Sequence, residues 1–170
     1  MPTLHNEVIQ SRIESLDLEP IKFKLVREKG YDRAQVQALE KWYKRFLFLT
    51  FKYRRQPIVV CESLDEFWHQ HILDTQKYAA DCNAVFGEFL HHFPYFGLRG
   101  DDDRQDLLHA HQQSLAIMRQ EFGETPEDDP AIAMLCPVTS GASSCSDCDH
   151  VWPDGRNWHD NERPHASHLG

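Results

Sequence analysis

Two histidines stand where an imidazole needs a reason to be: His71 and His111 each fall on the apolar side of a helically patterned segment. Between Leu64 and Phe86, an advance of about 100° per residue puts Leu64, Phe67, Trp68, Tyr78, Cys82 and Val85 on one side of a helix. His71 lies inside that stripe. His69, two residues earlier, lies on the other side, so the pair cannot chelate one ion from a helix; an H-x-H pair shares a face only on a strand. Asp74 and Tyr78 follow His71 at one-turn spacings and border the same stripe. Further on, Leu107, Leu108, Leu115, Met118 and Phe122 define a second apolar face that includes His111 and leaves His109 outside.

Inward imidazoles on two helices, joined by His91 or His92 from the segment FLHHFPYFG, make a candidate metal set, with Asp74 as a carboxylate ligand. Imidazole with a carboxylate suits Zn or non-haem Fe. An open position on such an ion would activate water or oxygen, with Tyr78 as acid or hydrogen-bond donor, and the protein would then be a metalloenzyme. Spacing leaves open whether it is an enzyme, and on what substrate. The competing reading is that each histidine is a neutral core residue, hydrogen-bonded to a carboxylate or hydroxyl. The protein would then be an interaction module, with the aromatic loop 89–97 as its docking patch.

A third reading places the chemistry near the C-terminus. Cys145 and Cys148 form a C-x-x-C pair with His150 close behind and Cys136 upstream, which is half of a zinc-ribbon pattern and suggests thiol or metal handling. Other chemistries lack their residues. Cys82 is three helical turns from His71 and cannot pair with it for nucleophilic catalysis, and there is no Gly-rich phosphate loop, G-x-S-x-G or H-E-x-x-H.

These residues need helices to hold them. Pro20 and Gly30 bracket a helix after a weakly patterned first one. Asp32 with Gln35 forms a capping box for a long helix carrying Val36, Leu39, Trp42, Tyr43, Phe46 and Leu49, closed by Pro57. Ile58 to Cys61 reads as extended. Ser63 and Glu66 suggest a second capping box, opening one helix from about Leu64 to Phe86. The loop after Gly87 is too apolar to stay in water and is expected to fold back over the helices. Asp101, Asp102 and Asp103 open a last long helix that Gly123 ends, with a short helical turn from Pro130 to Leu135. The expectation is an all-α, helical-bundle-like domain of about five helices over residues 1–135, followed by a flexible Cys/His-rich tail over 136–170.

The composition narrows the partners. A formal charge of -9, from 27 acidic and 18 basic residues, repels phosphate backbones and anionic lipid. Nucleic acid is not expected as a partner, and the basic stretch Lys41, Lys44, Arg45, Lys52, Arg54 and Arg55 is explained as the snorkelling edge of a buried helix. No apolar run reaches the roughly 20 residues that span a bilayer, so no membrane association is expected and the cytoplasm is the expected location. There, five cysteines read as thiols or ligands rather than a disulfide framework.

The stretch LDEFWHQHILDTQKYAADC, with FGEFL and HHFPYFG after it, resembles the glycine-rich domain-containing protein-like family over about residues 30–123. That resemblance implies a helical domain. It concentrates the family's motif on Trp68, His69, His71, Tyr78, Asp81, Cys82, Phe86, Gly87 and His92, and it supplies no reaction. The chain lacks an extended glycine-rich region.

Overall fold

The computed structural model describes residues 2–136 and 144–147, with side chains for 5–136. Among the described residues there are six helices: α1 (Pro2–Glu14), α2 (Glu19–Lys29), α3 (Arg33–Lys52), α4 (Glu62–Leu73), α5 (Thr75–Phe86) and α6 (Asp101–Phe122). The architecture is all-α and bundle-like, as expected.

Several ends are where local chemistry puts them. In α3 the Asp32 carboxylate accepts from the Gln35 amide at 2.8 Å while the Gln35 side chain accepts from the Asp32 amide at 2.9 Å, satisfying two donors that the first turn leaves over. Gly30 and Gly123 end α2 and α6 with φ of 77° and 73°, the left-handed region where an L side chain is strained.

The segment expected as one helix from Leu64 to Phe86 is two. Cys61, not Ser63, is the N-cap of α4, and the Ser63 hydroxyl instead donates to the carbonyl of Leu135 at 3.1 Å. Asp74 leaves the helical region (φ -82°, ψ 72°) and its side chain accepts from the Lys77 amide to start α5. The chain turns there without Gly or Pro because Asp supplies its own cap. As a result α5 packs back on α4.

The core gathers the large residues of α3, α4 and α5. Trp42, Tyr43, Phe46, Phe67, Trp68 and Tyr78 are all at most 1% exposed, each worth on the order of 1.5–3 kcal/mol of burial. Leu90, Phe93 and Phe96 of the aromatic loop are buried too, so the loop folds back as expected; Phe89 and Leu98 are its exposed apolar residues. Gly97, with φ 86°, lets the loop pass directly against the Leu107 side chain of α6. The basic stretch is neutralised in place, with Lys41 on Asp129, Lys44 on Glu40, Arg45 on Glu124, Lys52 on Glu121 and Arg54 on Glu88.

A small sheet closes one side. Strands β1 (Val59–Val60), β2 (His91–Phe93) and β3 (Ser144–Asp147) run in the order β1-β3-β2, both pairings antiparallel. Cys136, expected as a thiol at the start of a loose tail, is 2% exposed and bonded to Cys61. The reading of all five cysteines as thiols or ligands is thus corrected for this pair, because the C-terminal segment folds over the N-terminus of α4 and brings the two Cα atoms to 5.3 Å. No described helix is long and apolar enough to cross a membrane.

Candidate metal site

Helix α4 carries two imidazole–carboxylate arrangements on opposite faces. On the inner face, His71 is 1% exposed and both its ring nitrogens are engaged. Nε2 lies 2.9 Å from Oδ2 of Asp81 and Nδ1 lies 2.9 Å from Oη of Tyr43. A carboxylate only accepts, so Nε2 carries the proton and the Tyr43 hydroxyl donates to Nδ1. This is a satisfied neutral imidazole, and burial holds its pKa below the usual histidine value. Asp81 is held in turn by Lys77 at 2.8 Å. Burial raises the Tyr43 hydroxyl well above the usual tyrosine range.

The surrounding residues complete a packed knot. The Tyr78 hydroxyl accepts from the Trp68 indole at 2.9 Å and donates to the Leu90 carbonyl at 2.6 Å, pinning the chain just before β2. Cys82 is a buried free thiol whose pKa burial raises.

On the outer face, Asp65 and His69 sit one turn apart on α4, and His92 comes to them from β2. One ligand atom from each lies within 4.8 Å of the others. The closest approaches are 3.2 Å from Oδ1 of Asp65 to Nε2 of His92 and 3.6 Å from Oδ2 to Nδ1 of His69. Ligand atoms around a tetrahedral zinc, with bonds of about 2.0–2.1 Å, are separated by about 3.3 Å, so donors within 4.8 Å of one another could close on an ion by side-chain movement. Asp65 is 3% exposed while the His69 side chain is 41% exposed: the carboxylate is the floor and His69 the rim. The rings of His69 and His92 lie 4.6 Å apart, and Trp68 packs on His92 at 4.6 Å, which fixes the imidazole of β2 against α4.

The expected ligands are therefore distributed rather than gathered. His92 belongs to the three-residue group; His71 is in the knot on the other face. His111, 6% exposed, lines a separate cavity of about 10 Å³ with Cys61, Cys136 and Glu127, and burial lowers its pKa. His91 is exposed and packs on Phe89 at 4.8 Å, and Asp74 is the exposed cap of α5. Tyr78 is occupied in both directions. Cys136 is in the disulfide, Cys145 lies on β3, and Cys148 and His150 lie outside the described residues.

Sequence reasoning did not take Asp65, His69 or Asp81 as site residues. For the first two the signal was present, since D-x-x-x-H puts both on one helix face. Asp81 stood only in the motif of the resemblance, because a continuous helix would hold it about 15 Å along the axis from His71.

The structure is thus an all-α bundle with a group of two histidines and one aspartate that could hold a metal ion. The chain belongs to the UCP032817-like family, which matches residues 10–123. This match corrects the resemblance to the glycine-rich domain-containing protein-like family; of the residues that carried it, Trp68, His71, Tyr78 and Asp81 belong to the knot on the inner face of α4. No curated protein and no solved structure matches the chain.

Proposed function

We propose that the protein binds one transition-metal ion through Asp65, His69 and His92. The observation that carries this reading is the convergence of three ligand atoms from α4 and β2 within 4.8 Å, with the carboxylate buried and one imidazole at the surface. Two imidazoles and one carboxylate are the donors of Zn(II) sites that keep an open position and of non-haem Fe(II) sites. Water would reach the ion past His69, so the bound ion would present a coordinated water to solvent and act on it as a Lewis acid.

Metal analysis and zinc titration of the full chain purified without a His-tag test this. About one ion per chain is expected, lost in Asp65→Asn and in His92→Ala and kept in His111→Asn. An ion that survives both ligand substitutions, or disappears in Cys145→Ser with Cys148→Ser, moves the chemistry to the C-terminal thiols. Absence of binding ends the reading.

A further inference from the structure

We propose that reduction of the Cys61–Cys136 disulfide opens a separate zinc site, in which the two thiolates, His111 and Glu127 hold one ion. It shares no residue with the Asp65 group and stands or falls independently of it.

His111 is the first observation. Its ring is 6% exposed, yet, unlike His71, it has no hydrogen-bond partner among the described residues. A buried imidazole in that state calls for a water or an ion. It borders a cavity of about 10 Å³, the room of roughly one water-sized atom. Four side chains around that cavity carry donor atoms, those of Cys61, His111, Glu127 and Cys136, and the remaining side chains are apolar. Glu127 is half-buried and makes no hydrogen bond or ion pair among the described residues. Burial raises its carboxyl above the usual range.

While the disulfide is closed, the two sulfurs bond each other, and the group offers only a nitrogen and a carboxyl. Reduction adds two thiols. Two thiolates, an imidazole and a carboxylate make a four-donor set of the kind that zinc takes in tetrahedral geometry. Burial also keeps His111 neutral, the form in which imidazole ligates.

The frame around these four groups does not depend on the bond. The Val59 amide donates to the Ser114 hydroxyl oxygen at 2.8 Å, tying the strand before Cys61 to α6 one turn after His111. The Ser63 hydroxyl donates to the Leu135 carbonyl, and the Cys136 amide donates to the carbonyl of the fully buried Ile132, both at 3.1 Å. Glu127 sits in a short 3-10 turn, Pro126–Asp128, closed by Thr125 and Asp128. With their Cα atoms 5.3 Å apart, the reduced cysteines stay neighbours, and rotation about χ1 lets the sulfurs part around an ion. The chemistry balances: two monothiols supply two electrons, leaving thiols on Cys61 and Cys136 and one disulfide between the reductant molecules. Zinc then displaces the two thiol protons to solvent. An ion that binds only the reduced form draws the pair toward reduction.

The test measures zinc stoichiometry, at free zinc fixed by a chelator buffer, for the oxidised chain and for the chain reduced with a phosphine. One additional ion per chain is expected on reduction, whatever the Asp65 group binds. It should be lost in His111→Asn and in Cys61→Ser, and kept in Cys145→Ser with Cys148→Ser. Cobalt in its place should show thiolate charge-transfer absorption, which the Asp65 group, having no sulfur, does not give. No additional ion, one that survives His111→Asn, or one lost with Cys145 and Cys148 overturns the proposal. Should the His111 variant not fold, the disulfide of the unmodified chain is titrated in a glutathione redox buffer at rising free zinc. Its potential is expected to rise by about 30 mV for each tenfold excess of free zinc over the dissociation constant, and a potential indifferent to zinc overturns the proposal.

Discussion

His71 and His92 are both imidazoles set against an aspartate, both packed beside Trp68 or Tyr78, and they differ in what each leaves available. Around His71 every polar group has a protein partner: the buried Tyr43 on one nitrogen, the half-buried Asp81 on the other, and Lys77 behind Asp81. Around His92 a single carboxylate faces two imidazoles, and one of these is 41% exposed. The same residue types make a structural knot where the donors and acceptors match, and a group that could hold a metal ion where one buried carboxylate is approached by two rings, one of them exposed. A place on an apolar helix face, which first drew attention to His71 and His111, marks buried imidazoles rather than the three-residue group.

The largest effect that separates the two regions is on stability. His71→Ala leaves the Tyr43 hydroxyl and the Asp81 carboxylate without their shared partner in the core and opens a cavity, so a loss of about 3 kcal/mol or more is expected. His92→Ala removes a ring at the edge of the same helix and should cost about 1–2 kcal/mol. Urea denaturation of the two variants in metal-free buffer measures both. Equal losses would break the distinction between a knot and a site.

How much of this was legible depends on whether the cause was local. The capping box of Asp32 and Gln35, and the stops at Gly30 and Gly123, are decided by residues a few positions apart, and they were found. The outward direction of His69 and the inward direction of His71 followed from two positions within α4. The break at Asp74 was missed because it uses an ordinary capping residue in the middle of a pattern that reads as continuous. Angles carried across that break lose meaning: a continuous helix would put Thr75 and Ala79 on the apolar side, and both are exposed. Once α5 folds back, Asp81 meets His71 from ten residues away, a contact available only through the turn. His92 reaches Asp65 through the sheet, and Cys136 reaches Cys61 across 75 positions; no periodicity encodes either meeting.

A smaller effect sharpens the comparison through pH. Burial lowers the pKa of His71 and of His111 from the ordinary histidine value of about 6.5. Below that value the unfolded chain takes up protons that the folded chain refuses, so the unfolded state binds more protons and stability falls as pH falls. Asp129 and Glu121, whose pKa values are lowered by their partners, lose their contribution only in the more acidic carboxylate range, while Glu127, raised by burial, acts in the opposite sense, so comparison with His111→Asn assigns the change between pH 7.5 and 5.5. The urea midpoint of metal-free protein is expected to drop across that interval, and His111→Asn should flatten the drop. A midpoint that holds constant would mean that neither imidazole is kept neutral by the fold.

The smallest structural change carries the sharpest functional contrast. His69 is at the rim, its ring in contact with His92 and its Nδ1 3.6 Å from Asp65. Replacing it by Asn removes little buried area, and an exposed helix position tolerates such a change within about 0.5 kcal/mol. Yet it removes one of the three proposed ligands, and even indirect supports of a metal site are worth roughly 10–100-fold in affinity. His69→Asn is therefore expected to unfold at the same urea concentration as the unmodified chain when metal-free. With zinc present it should lose most of the added stability that the unmodified chain gains, about 2.7 kcal/mol at a free ion concentration 100 times the dissociation constant. The pairing of these two measurements matters more than either value. A rim histidine that serves only to cover Asp65 would leave the zinc-dependent gain in place, and a histidine that serves the fold would shift the metal-free midpoint; a ligand does neither.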